Sequence, residues 1–155
     1  MAILDDLERT GYYVCMCSGV SMMPLLRQNR DVLIISRNPS TCYRVFDIVL
    51  FIREDGTYVL HRILKRKRGI YWVVGDNCYK GEYIREDQVI GSLTQVIRNG
   101  KAIRFDSLRY KLYLYLWCAP YQTRFILLDI YHNGWLGVRH TWEKVCKRIK
   151  RLFVQ

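Results

Sequence analysis

Four polar residues that could take part in nucleophilic or acid–base chemistry stand at bends or strand ends of this chain: Ser21, His61, Asp76 and Glu82. Ser21 lies between Gly19 and Pro24, where the chain is expected to bend and present a hydroxyl. Such a hydroxyl attacks a carbonyl only when a base takes its proton in the transition state. His61 is the one histidine in the strand-rich part of the chain, and an imidazole that ordinarily titrates near ~6.5 is a serviceable base at neutral pH. A carboxylate on its far nitrogen would hold the ring and stabilise its charged form, a role open to either Asp76 or Glu82. Each of the four also has a plain structural use: a turn serine bonding its own backbone, a strand histidine with an ordinary partner, an Asp-Asn turn, a solvated glutamate.

The elements around them read as β-structure. Residues 2–10 suit a short helix stopped at Gly11. Strand-like runs follow from Tyr12, at 31–36 (bounded by Asn38-Pro39), 47–53, 58–64, 70–74, 88–97 and 102–105. Asp55-Gly56, Arg68-Gly69 and Asn99-Gly100 separate apolar runs and predict three hairpins, the last of type I′. Hairpins in series, without alternating helices, describe an antiparallel, mainly β domain rather than a doubly wound one. The text changes near residue 106. From Leu108 to Tyr131 it is rich in Leu, Tyr and Ile, and then Trp142, Val145, Ile149 and Leu152 recur at helical spacing among Lys and Arg. A β domain over 1–106 and a helical basic extension over 107–155 are the expected organisation. The basic helix at 139–153 either docks on the β domain or lies peripherally in a membrane interface.

With 155 residues, half of them hydrophobic, the chain needs neither metal nor disulfide to build a core. Its net charge of +11 is concentrated in Arg62, Lys65–Arg68 and the segment 139–151, which suggests a local anionic partner. Nucleic acid is the weaker candidate, because aromatic motifs of the RNA-recognition kind are missing. Six cysteines at irregular spacing form no zinc pattern, so no metal is expected, and scattered thiols fit a reducing, cytoplasmic setting. Asp5, Asp6 and Glu8 stand where a signal peptide would be basic and then apolar, and no apolar run reaches the ~18 residues of a membrane span. Phosphate-binding glycine loops are absent, so no nucleotide or other cofactor is implied.

Taken in order, Gly19-Val20-Ser21-Met22-Met23-Pro24, the runs at 31–35 and 47–51, Val59-Leu60-His61-Arg62-Ile63, Gly75-Asp76-Asn77 and Val89-Ile90-Gly91 resemble the type I signal peptidase superfamily, which includes the self-cleaving LexA-like repressors. The resemblance covers about residues 12–104. His61 falls where many members have a lysine base, so the chain is similar to the Ser–His variety of archaea and the endoplasmic reticulum; Lys65 and Lys67 lie outside the matching position. The resemblance puts Glu82 at the place of the assisting acid, usually Asp, with Asp76 in the Gly-Asp-Asn box.

The resemblance implies a serine endopeptidase that cuts a peptide or protein precursor, such as a leader segment presented as an added β-strand with small side chains before the cut. Ser21 would be the nucleophile, His61 the base, and the Ser21 N–H an oxyanion donor. Many members place a serine two residues before the nucleophile as second donor; here that position is Gly19, leaving Ser18 or another N–H. Met22, Met23 and Pro24 would border the substrate. Asn29-Arg30-Asp31 and Phe46-Asp47 stand where the family tends to have Gly-Asp, which predicts reshaped turns. The family's anchor before the serine box and a repressor's DNA-binding domain both find no counterpart in the preceding residues. A non-catalytic member of the fold, binding a peptide or a membrane surface, is the alternative expectation.

Overall fold

The computed structural model describes residues 2–37 and 42–134. Asn38-Pro39, Cys146 and the expected basic helix at 139–153 lie outside the described residues.

The protein is mainly antiparallel β. Helix α1 (Ala2–Thr10) leads into β1 (Tyr12–Met16), followed by β2 (Asp31–Ser36), β3 (Ile48–Ile52), β4 (Tyr58–Lys67), β5 (Ile70–Val74), β6 (Glu82–Arg85), β7 (Val89–Arg98) and β8 (Lys101–Ala102). The main sheet runs β1-β2-β7-β3-β4-β5-β6, and β8 pairs with β7 alone. All three expected hairpins form. Positive φ at Arg68, Gly69, Asn99 and Gly100 matches the twist that two-residue turns need. Strand β6 has no counterpart among the expected runs, since four residues holding Glu82 and Arg85 lack an apolar pattern. Gln88 belongs to a 3-10 turn before β7, and β8 stops at Ala102 rather than Phe105.

Side chains of the sheet form two apolar clusters. Leu33, Ile35, Ile48, Leu50 and Val96 pack with Leu7 of α1 and with Met22 and Leu26 of the serine loop. Val49, Phe51, Ile63, Val73 and Ile84 build the second around Tyr43 and Tyr71. Alternation along β4 separates two neighbours: His61 and Arg62 are consecutive, so their side chains leave opposite faces of the sheet.

Helical structure resumes at Leu108. Helix α2 (Leu108–Tyr113) starts at a Ser107 cap, whose hydroxyl accepts the Tyr110 N–H, and continues as a π-helical turn, Leu114–Cys118. After Pro120, α3 (Tyr121–Asp129) runs into a second π-helical turn, Ile130–Gly134. Tyr121 and Phe125 pack edge-on against Trp72 of β5, at 5.0 and 5.8 Å between ring centroids. Among the described residues no helix is long and apolar enough to cross a membrane.

The turns at Asn29 and Phe46 use the left-handed backbone that glycine favours, with φ +55° and φ +77°. Asn tolerates that region, whereas Phe is strained there. The surroundings hold Phe46 in place, because its N–H donates to the Ile63 carbonyl at 2.8 Å and its carbonyl accepts from Arg62 Nη1 at 2.8 Å.

Candidate active site

Beyond β1 the chain turns through Ser18 and Gly19, the latter at φ +81°, and brings Ser21 over the end of β5. Two backbone-directed bonds fix this loop to the Gly75-Asp76-Asn77 segment: the Asn77 N–H donates to the Ser21 carbonyl at 2.8 Å, and Asn77 Nδ2 to the Val20 carbonyl at 3.3 Å. Gly75 is what permits the approach. A Cβ there would lie 2.6 Å from the Ser21 carbonyl oxygen, 2.7 Å from Cys78 Sγ and 3.1 Å from His61 Nε2. The serine loop and the imidazole therefore meet across the space of one missing methyl group. Ser21 and His61 also line the same two clefts.

His61 is 7% exposed. Burial pushes its imidazole down to about 4; Glu82 pulls the other way, while Arg53 adds to the fall. The ring is thus neutral at neutral pH, with one nitrogen free to accept a proton. Glu82 Oε1 lies 3.5 Å from Nδ1, outside hydrogen-bond geometry, so Nδ1 has no hydrogen-bond partner among the described residues. The carboxylate still favours the tautomer with its proton on Nδ1 and the lone pair on Nε2, toward Gly75 and the serine loop.

Arg53, which follows β3, holds Glu82 in a two-pronged pair, Nε to Oε2 at 2.8 Å and Nη2 to Oε1 at 2.6 Å. Nothing in the sequence marks this arginine; only the register of β3 against β4 and of β5 against β6 brings it to the site. Cys78 is a second neighbour that the motifs leave unnoticed. Burial raises its thiol, so it is a poor nucleophile at neutral pH beside Ser21.

Asp76 stands apart from this group. Its carboxylate takes Arg62 Nε at 2.8 Å and Nη2 at 2.6 Å, and accepts the Tyr113 hydroxyl at 2.8 Å, while its carbonyl accepts the Trp117 indole N–H at 2.9 Å. Both Asp76 and Arg62 are fully buried. The carboxylate facing the far nitrogen of His61 is Glu82, and that of Asp76 is committed to the opposite face of β4.

Of the residues expected to border substrate, Met22 alone lines the cleft, and it is buried in the core. Met23 is exposed outside both clefts, and Pro24 lines a separate groove with Tyr110 and Tyr113. The turn at Val20–Met23 aims successive side chains in different directions, unlike the strand alternation that a linear motif suggests. Ser18 and Gly19 line the same cleft as Ser21 and His61, and the Ser21 N–H donates to no backbone carbonyl among the described residues. That cleft encloses about 440 Å³, and Leu33, Ile35, Leu50 and Leu60 give it an apolar floor.

No protein-family model and no curated protein matches this chain.

Proposed function

We propose that the protein is a serine endopeptidase working by a Ser–His mechanism on an extended peptide segment. The observations behind the reading are that the Ser21 backbone carbonyl and the Nε2 of a buried, neutral His61 both face Gly75, that the two residues line the same two clefts, and that Glu82 stands behind Nδ1. Ser21 Oγ attacks the scissile carbonyl as Nε2 takes its proton; the imidazolium then protonates the leaving amine, and water, deprotonated by His61, releases the acyl group. The Ser21 N–H, with Ser18 lining the same cleft, would receive the oxyanion. Glu82 stabilises the imidazolium as it forms.

The substrate side follows from β1. It ends the sheet order, its other edge pairs with no strand among the described residues, and it leads straight into the serine loop. A peptide added to that edge would set alternate side chains toward the apolar cleft, which suits small or aliphatic residues ahead of the cut. A precursor with an extended leader has this form. The cysteines, all five described ones being free thiols, favour a reducing compartment such as the cytoplasm.

Incubation of the purified protein with candidate precursors, beside Ser21→Ala, tests the reading: the wild type cleaves and the variant does not. Equal cleavage by the variant removes Ser21 from the mechanism. A second reading draws on the Arg53 pair, which takes up the carboxylate that a triad would turn on the histidine: the cleft holds a peptide without cutting it. In that case wild type and Ser21→Ala bind the same peptides equally and neither yields product.

A further inference from the structure

A groove of about 620 Å³ shares no lining residue with the two clefts that hold Ser21 and His61. Four arginines from four segments line it: Arg27 just past the serine loop, Arg98 at the end of β7, Arg104 after β8 and Arg109 in the first turn of α2. Among the described residues no carboxylate lines it. Much of the remaining wall is apolar, formed by Pro24, Leu25, Ile103 and two tyrosine rings. The Tyr110 hydroxyl accepts from Arg62 and the Tyr113 hydroxyl donates to Asp76, so both rings reach the groove with their polar ends engaged elsewhere.

The four cations are not equally committed. Arg98 turns Nε and Nη2 to the two oxygens of the buried Asp31, at 2.7 and 2.6 Å, and Nη2 also donates to the Leu25 carbonyl at 2.6 Å. Arg104 meets Asp106 two residues on, but both side chains are largely exposed, and a pair of that kind yields readily to a better acceptor. Arg27 and Arg109 make no side-chain hydrogen bond or ion pair among the described residues, although the Arg27 charge acts on Asp31 at longer range.

This distribution selects the ligand. One guanidinium fork satisfies one carboxylate, as Arg98 does for Asp31. Two uncommitted forks and a third loosely held suit more charge and more acceptor atoms than a lone carboxylate carries. A phosphoryl group has both, with up to two negative charges and three acceptor oxygens on one centre. The apolar wall suits an apolar or aromatic body attached to it, and the volume falls in the range of small-molecule sites.

We propose that this groove binds a small phosphate monoester, its phosphoryl group on Arg27, Arg104 and Arg109 and its apolar or aromatic body against Pro24, Ile103 and the tyrosine rings. The site does not depend on hydrolysis at Ser21.

Calorimetric titration of the full-length protein with phenyl phosphate tests it, beside benzoate, which has the same ring and a lone carboxylate. Phenyl phosphate should bind once per chain, more tightly than benzoate, and more weakly as salt rises. R27Q/R109Q removes two exposed cations that hold no other side chain, so circular dichroism and melting should stay as they are while affinity falls by at least about tenfold. K67Q/R68Q, which removes the same charge from the hairpin between β4 and β5, should bind like the wild type. A wild type that does not saturate with phenyl phosphate overturns the proposal, as does benzoate binding equally well or a folded R27Q/R109Q that keeps its affinity. An equal loss in K67Q/R68Q overturns it too, because net charge alone would then account for binding.

Discussion

Arg62 and Asp76 form a fully buried, two-pronged ion pair one residue along from His61 and Gly75 respectively. The pair ties the strand bearing His61 to the loop that meets Ser21, and Tyr113 and Trp117 lock it from the helical side. Its work is positional. Breaking such a pair leaves a charge buried without its counterpart, so Asp76→Asn should cost about 3–5 kcal/mol in urea unfolding. The double replacement Arg62→Met with Asp76→Leu should recover much of that loss, because no charge is then stranded. Equal destabilisation by the single and double variants would count against the pair as the source.

Gly75→Ala checks the approach of loop and base. The added methyl would fall 2.6 Å from the Ser21 carbonyl and 2.7 Å from Cys78 Sγ, closer than packed atoms allow. Overpacking of this kind costs about 1–3 kcal/mol. The methyl would push on the backbone that carries Ser21, so turnover should fall further than stability, and thermal melting compared with precursor cleavage separates the two. An alanine variant as active as wild type would mean that the loop need not sit where it does.

Ser21, His61 and Glu82 were legible because each sits at a place that the chain marks. A Gly-bounded bend, a strand histidine and a glutamate just past Gly75-Asp76-Asn77 all leave a trace in one dimension, and the hairpin turns fix most strand boundaries. Asp76 was ambiguous for a physical reason: sequence shows that a carboxylate is near, but only the alternation of His61 and Arg62 across β4 shows which side chain it faces. Arg53 left no trace, since its role depends on strand register over 29 residues. Phe46 shows another limit: the sequence marks a bulky residue at a turn, but only the bonds to Ile63 and Arg62 show that it is held at φ +77° against strain.

Glu82→Gln should separate the electrostatic role of this carboxylate from the structural one of Asp76. The neutral amide keeps shape but no longer stabilises an imidazolium, so kcat should fall about ten- to a hundredfold with little change in KM. Stability should change far less than in Asp76→Asn, because Glu82 is partly solvated. Steady-state cleavage and urea unfolding of both variants give the comparison; a larger stability loss for Glu82→Gln would reverse these assignments.

Acid sensitivity follows from the buried imidazole. An unfolded histidine takes its proton near ~6.5, whereas folded His61 does so only at about 4. Between those values the unfolded chain holds more protons, so this contribution to stability is present above ~6.5 and is lost as pH falls toward about 4, at up to about 1.4 kcal/mol per pH unit. Catalysis shares the lower value: the acid limb of kcat/KM should fall near pH 4 instead of ~6.5. Arg53 helps to keep the proton off and also occupies Glu82, so Arg53→Leu removes a repelling cation and frees an attracting anion. Both changes act in one direction, and the acid limb and the His61 Cε1 proton titration in NMR should move upward together. A wild-type limb near ~6.5, or an Arg53→Leu variant that titrates lower than wild type, would show that burial and Arg53 do not govern this base.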